Sequence, residues 1–146
     1  MNVNHLALFL HLTGITLWVG GMVFIRVCLV FPAMSPTQWA EALKKFFPLS
    51  WISIALIVLS GSLRLVVTGH ANAPRAWLWM TVLGLVMIAV YASLWFGPWK
   101  ALRAALARED LAQAPVAVRR INKRLDITLV LGALTATVAT FGLALL

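Results

Sequence analysis

Four stretches of this chain are too long, too apolar and too poor in charge to belong to a soluble protein. They run from Leu6 to Phe31, Leu49 to Thr68, Ala76 to Trp99 and Leu125 to Leu146. Each supplies the ~20 residues that a helix needs to cross about 30 Å of hydrocarbon. Together they make up most of the 146 residues, and 62% of the chain is apolar, well above the roughly 45–50% usual in soluble domains. The sequence therefore predicts an all-α polytopic membrane protein. Its fold is a single four-transmembrane-helix bundle over residues 1–146, with spans at about 6–31, 49–68, 76–99 and 125–146. The first stretch lacks a charged leading region and a small-residue cleavage site, so it is expected to be a retained helix rather than a signal peptide.

Once lipid is the solvent, charge becomes a topological signal. The formal net charge is +8. Lys44 and Lys45 lie between the first and second spans. Lys100, Arg103, Arg108, Arg119, Arg120, Lys123 and Arg124 lie between the third and fourth. The other side has only Arg75, with Arg64 nearby inside the second span. Basic loops stay cytoplasmic, so both termini are expected outside, on the periplasmic face of a bacterial inner membrane. The basic face is expected to meet anionic lipid headgroups. Nucleic acid is not an expected partner, because no basic patch is interleaved with aromatic residues.

The connections carry their own signals. Ser35-Pro36-Thr37-Gln38 reads as a helix start, with Ser35 as N-cap, Pro36 in the first turn and Gln38 completing a capping box. The turns that follow place Trp39, Leu43, Phe46 and Phe47 on one side, which predicts a short interfacial helix on the cytoplasmic surface, set apart from the second span by Pro48. The third helix is expected to continue into the cytoplasm through Lys100 to Gln113, with Pro115 interrupting it.

Within the spans, small and polar residues recur at three-four spacing and so share one helix face. The first stripe holds His11, Gly14, Trp18 and Gly21. The second holds Ser50, Ser53, Ser60 and Arg64, beside Gly61. The third holds Trp77, Thr81, Gly84 and Tyr91, and the fourth Thr128, Gly132, Thr135 and Ala139. In lipid, helices associate through close packing and hydrogen bonds, so the stripes should converge in the bundle centre. Gly14, Gly21, Gly61 and Gly84 are the candidate packing positions.

A few side chains could do more than pack. Neutral imidazole ligates haem iron and copper, and His11 lies inside its span near the outer end. It could equally be a buried histidine bonded to a serine or threonine. Arg64 lies about one turn from the outer end of its span, where it could snorkel to water or point inward to an anion. His5 and His70 fall at the same surface, so His11, His5 and His70 form a candidate metal set, and His11, Arg64 and Trp18 a candidate cofactor set. At the opposite end Arg26 and Asp126 could form an ion pair. The lone Cys28 excludes an intrachain disulfide and a cysteine-rich metal site, and Met22, Met34, Met80 and Met87 form no copper-binding cluster. There is no G-x-S-x-G, H-E-x-x-H, phosphate loop or C-x-x-C. The near absence of acidic residues from the spans argues against a carboxylate proton relay.

The run Leu10-His11-Leu12, followed by Leu17-Trp18-Val19-Gly20-Gly21, resembles the opening helix of the copper-resistance D (CopD-like) membrane family. Ser60-Gly61-Ser62-Leu63-Arg64 is similar to that family's second-helix pattern, and the order of spans and the basic third loop fit over nearly the whole chain. The first helix also resembles that of the HemJ-type protoporphyrinogen oxidases, which carry a lysine in the outer half of the third helix where this chain reads Trp77 to Val82. The CopD-like resemblance implies copper handling, by uptake or transfer, through a polar path near His11. The HemJ-type resemblance implies a b-type haem, with His11 as axial ligand and Arg64 beside a propionate. The cofactor is therefore expected to be a copper ion or haem b. A small non-catalytic membrane subunit or assembly factor remains the third expectation, and four short helices suggest a homo-oligomer.

Overall fold

The computed structural model describes residues 2–28, 34–69 and 72–142. Helix α1 spans Val3–Cys28, α2 Pro36–Thr68 and α3 Arg75–Leu94. A π-helical stretch, Trp95–Trp99, joins α3 to α4 at Lys100–Ala107, and α5 spans Gln113–Phe141. No strand occurs among the described residues. With the π stretch joining α3 and α4 into one rod, four helices are long and apolar enough to cross a membrane. Large apolar side chains point outward along all of them, among them Phe9, Leu59, Phe96 and Val130. In water such a band would be costly, and in a bilayer it is the solvated surface. The chain is a multi-pass membrane protein.

Helix α2 differs from its expected form. One helix runs from Pro36 through Pro48 to Thr68, with no separate interfacial helix before it. Proline removes the backbone donor that would bond to the carbonyl of Lys44, but Lys44 and Lys45 are exposed, so that carbonyl faces outward. Meanwhile Trp39, Leu43, Phe46, Phe47, Ser50 and Ile54 form one continuous buried face across the proline. Burial of those aromatic rings holds the helix through the one missing bond. The expected start is present: Ser35 Oγ accepts from the Gln38 amide, and Gln38 Oε1 accepts from the Ser35 amide at 2.9 Å.

The third span continues past Trp99, as its pattern suggested, but ends at Ala107 rather than at Gln113. The change to π geometry at Trp95–Trp99 falls where Gly97 and Pro98 weaken the regular ladder. Pro115 does not interrupt a helix. It lies in the first turn of α5, where a missing N–H has no helical partner to lose. The turn before it is fixed by Asp110, whose Oδ1 accepts from the amides of Ala112 and Gln113 at 3.1 and 2.9 Å.

Packing is uneven along the bundle. Helix α1 lies against α2, and α3 against α5, as two closely packed pairs. The pairs converge at the end that carries the basic residues, called here the basic end. There Trp18, Met22, Leu43, Phe47, Tyr91, Leu94, Trp99, Leu102, Ile121 and Leu125 form one buried cluster. Phe47 meets Trp95 edge-on at 4.9 Å, Trp99 at 5.2 Å and Tyr91 at 6.0 Å between ring centroids. Arg26 on α1 holds Asp126 on α5 through two hydrogen bonds, at 2.5 and 3.2 Å. Arg124 on α5 reaches the Ser93 hydroxyl on α3. The Arg26–Asp126 pair is partly exposed, so its fastening is worth no more than about 1 kcal/mol.

Close approach of α1 to α2 depends on Gly14. A Cβ there would lie 2.8 Å from Ile57 Cγ1 and 2.9 Å from the Ser53 carbonyl oxygen. At Gly21 it would strike the Phe46 ring at 2.6 Å, whereas at Gly20 it would meet nothing. Gly14→Ala is therefore expected to lower stability by about 1–3 kcal/mol through overpacking against a backbone atom. Gly20→Ala should be neutral or stabilising by under about 1 kcal/mol. Intrinsic tryptophan fluorescence during thermal unfolding in mild detergent measures both.

Candidate functional site

Away from the basic end the two helix pairs diverge and leave a cavity of about 340 Å³. Its walls are His11, Ile15, Trp18 and Val19 of α1, and Ile57, Val58, Gly61, Ser62, Arg64 and Leu65 of α2. Helix α3 adds Trp77, Met80, Thr81, Gly84, Leu85, Met87 and Ile88, and α5 adds Gly132, Thr135, Ala136 and Ala139. The lining is mainly apolar, with a few polar groups at fixed places, the usual composition of a small-molecule site.

His11 is half-buried, and its orientation is set by α2. Its Nδ1 lies 3.1 Å from the Ile57 carbonyl oxygen and 3.1 Å from Ser60 Oγ. The Ser60 hydroxyl gives its own hydrogen to the Leu56 carbonyl at 2.5 Å, leaving its oxygen to accept. A carbonyl only accepts, so Nδ1 carries the ring hydrogen and Nε2 keeps a free lone pair. Gly61 lies against the same ring, where a Cβ would sit 3.4 Å from His11 Cε1 and 3.7 Å from Nδ1. Ile57, Ser60 and Gly61 thus cradle one edge of the imidazole.

Arg64 lies over the Trp77 ring at 4.8 Å, so α2 reaches α3 across the cavity rim. Among the described residues it has no carboxylate to pair with. The four acidic residues of the chain are Glu41, Glu109, Asp110 and Asp126, all toward the basic end, and Asp126 is taken by Arg26. On the far wall Thr135 Oγ1 lies 3.9 Å from Met87 Sδ, a weak donor contact. Gly84 presents open space, with nothing within 4 Å of a built Cβ. At the floor, Trp18 is 3% exposed and its Nε1 hydrogen has no acceptor among the described residues. Its ring stands edge-on to Tyr91 at 5.5 Å.

The structure brings together His11, Arg64, Trp18, Gly61 and Gly84, and leaves others apart. His5 is exposed on the first turns of α1 and does not line the cavity. His70 lies outside the described residues. Gly14 and Gly21 sit at the α1–α2 contact, away from the cavity. Among the described residues no three His, Cys, Asp or Glu side chains gather as a metal site. Sequence reasoning missed Met80 as a wall residue and Trp77 as the partner of Arg64. The available signal was that Arg64 has no acid within reach anywhere at its level of the membrane. Comparison with protein-family models, curated proteins and solved structures finds no match for the chain.

The hydrogen bonding of His11 makes a spectroscopic prediction. Selective ¹⁵N-histidine labelling, with His11→Gln to assign the signal, should show the neutral Nδ1–H tautomer. Gly61→Val should shift that resonance by displacing the ring. An Nε2–H signature would contradict the donor assignment.

Proposed function

We propose that the cavity is a cofactor site for a b-type haem, in a protein of the CopD-like and HemJ-like kind, with His11 as axial ligand. The observation that carries the proposal is an imidazole nitrogen and a guanidinium in one apolar chamber, neither with a hydrogen-bond or carboxylate partner among the described residues. Haem has the matching polarity, with a broad apolar ring, a metal that takes neutral imidazole and anionic propionates at one edge. When bound, haem supplies reversible one-electron chemistry.

The protein's own residues supply the rest. The Ile57 carbonyl fixes the tautomer of His11 and raises the basicity of Nε2, the usual second partner of a ligating histidine. Arg64, 4.8 Å from the Trp77 ring centroid, would offset the charge of a propionate. Ile15, Val19, Leu65 and Ile88 would exclude water from the group, and Met80 and Met87 would offer thioethers to its iron. In this reading the basic end is cytoplasmic, the termini lie outside in a bacterial inner membrane, and the basic residues of α4 and α5 rest against anionic headgroups.

Copper handling is the second reading. Its support is that Met80 and Met87, soft thioether donors suited to Cu(I), line the same cavity as His11.

Visible spectra of the protein, purified in mild detergent from cells supplied with haem precursor, separate the two. The haem reading expects a Soret band, with sharp α and β bands after dithionite. His11→Ala should remove them, and Arg64→Gln should weaken haem affinity by about tenfold, the effect of one charge-assisted contact. A featureless spectrum, together with Cu(I) binding that falls on changing His11 or Met80, would replace haem with copper.

A further inference from the structure

The cavity is closed at one end and open along one side. Its floor is the aromatic layer in which Trp18 meets Tyr91 and Phe47 meets Trp95 and Trp99. On the α1 side, α1 packs closely on α2, and Val19 of α1 comes near Gly132 of α5. The α2–α3 side differs. Near the basic end α2 packs on α4, the continuation of α3, but α2 and α3 themselves are not among the closely packed pairs. Between them lies a gap, bridged toward the basic end by Phe47 and Trp51 on Tyr91 and toward the other end by Arg64 on Trp77.

The gap faces lipid. Val58 on one edge is 44% exposed and Leu85 on the other 59% exposed, both apolar, and both also line the cavity. Gly84, next to Leu85, looks into open space. A route at this depth lies beside acyl chains rather than water. At its rim stands a guanidinium with no carboxylate partner among the described residues and an aromatic face to rest on, which suits an anionic group on an otherwise apolar molecule.

We propose that the cavity is loaded sideways from the bilayer, through the α2–α3 gap, by an anionic amphiphile whose charged group Arg64 receives at the rim. The proposal rests on reading this cavity as the ligand site, and holds whether or not the ligand is haem. Trp77 keeps Arg64 across the gap while the site is empty, and the arriving anion takes over that guanidinium. Because the floor is sealed by packed rings, the ligand leaves by the route it entered.

The test uses the full chain with Cys28→Ser, in vesicles of phosphatidylethanolamine and phosphatidylglycerol. Single cysteines replace Gly84 or Thr81 inside the cavity and Val82, exposed on α3 and outside the cavity lining, on the lipid face. Thr81→Cys stands in if Gly84→Cys lowers the melting temperature. Each is treated with a lipid-soluble maleimide or with a charged, sulfonated one. Sideways access predicts that the lipid-soluble reagent labels the cavity thiols at a rate within about threefold of Val82→Cys, with the charged reagent at least about tenfold slower. Equal labelling by the charged reagent would show an aqueous mouth and overturn the proposal. Failure of both reagents at the cavity thiols, with Val82→Cys labelled, would show a closed chamber and also overturn it.

Preloading adds the identity of the ligand. Hemin should protect the cavity thiols, and its uncharged dimethyl ester should protect about tenfold less well, a difference that Arg64→Gln removes. Labelling from lipid without protection by hemin would leave the portal standing and reject haem as the occupant. Equal protection by hemin and its ester would reject the role of Arg64.

Discussion

Phe47 touches Tyr91, Trp95 and Trp99, and the two helix pairs of this protein meet where it does so. In water, any apolar face would pull helices together along their whole length. In lipid that drive is absent, and helices stay in contact only where surfaces interlock or hydrogen bonds join them. The interlocking here is confined to one end. Aromatic rings at centroid separations of 4.9 to 6.0 Å fill the space between α2, α3 and the π-helical stretch, and the Arg26–Asp126 pair closes α1 onto α5 beside them. Toward the other end the walls carry Gly61, Gly84, Gly132, Thr135 and Ala139 among larger side chains such as Leu65, Trp77 and Met80. Small residues are thus more frequent on the cavity walls than in the aromatic layer, and the cavity lies along that gradient.

The same gradient shows how far the sequence could be read. The four spans follow from length and apolarity, and the Arg26–Asp126 pair follows from two opposite charges at one depth. The stripes of Trp77, Thr81 and Gly84 and of Gly132, Thr135 and Ala139 did point to the bundle interior. Their spacing could not say whether they meet or line a void, because small residues serve both purposes. Gly14 and Gly84 have the same side chain and opposite surroundings, Gly14 wedged on Ser53 and Ile57, Gly84 facing open space. Only the distance between backbones distinguishes them. Pro48 misled for a related reason. Proline ends most helices, and the signal that it would not do so here was the aromatic face continuing from Trp39 to Phe47 and on to Ile54.

His11 was legible as an unusual residue in lipid, but its chemistry was not. Nδ1 is the satisfied nitrogen, bonded to a carbonyl and a serine on α2, and Nε2 has no hydrogen-bond partner among the described residues. The exposed His5 shows the contrast, since no described residue of α2 fixes its ring.

Arg64 brings the argument to energetics. An arginine at the centre of a span costs about 2.5–3.5 kcal/mol by insertion measurements, and less toward an end. Its contact with Trp77 returns roughly 0.5–2 kcal/mol, depending on how dry the contact is. None of the four Asp and Glu side chains is placed to supply the remainder, which water, headgroups or an anion at the rim can supply. Water and headgroups are available to any arginine that snorkels, and a snorkelling side chain is free to swing away from its helix. Arg64 instead rests over the Trp77 ring, between α2 and α3. A cation kept beside an apolar chamber favours molecules that are anionic at one edge and apolar over the rest. In the proposed reading, selection at the rim and ligation at His11 are separate steps carried by different helices.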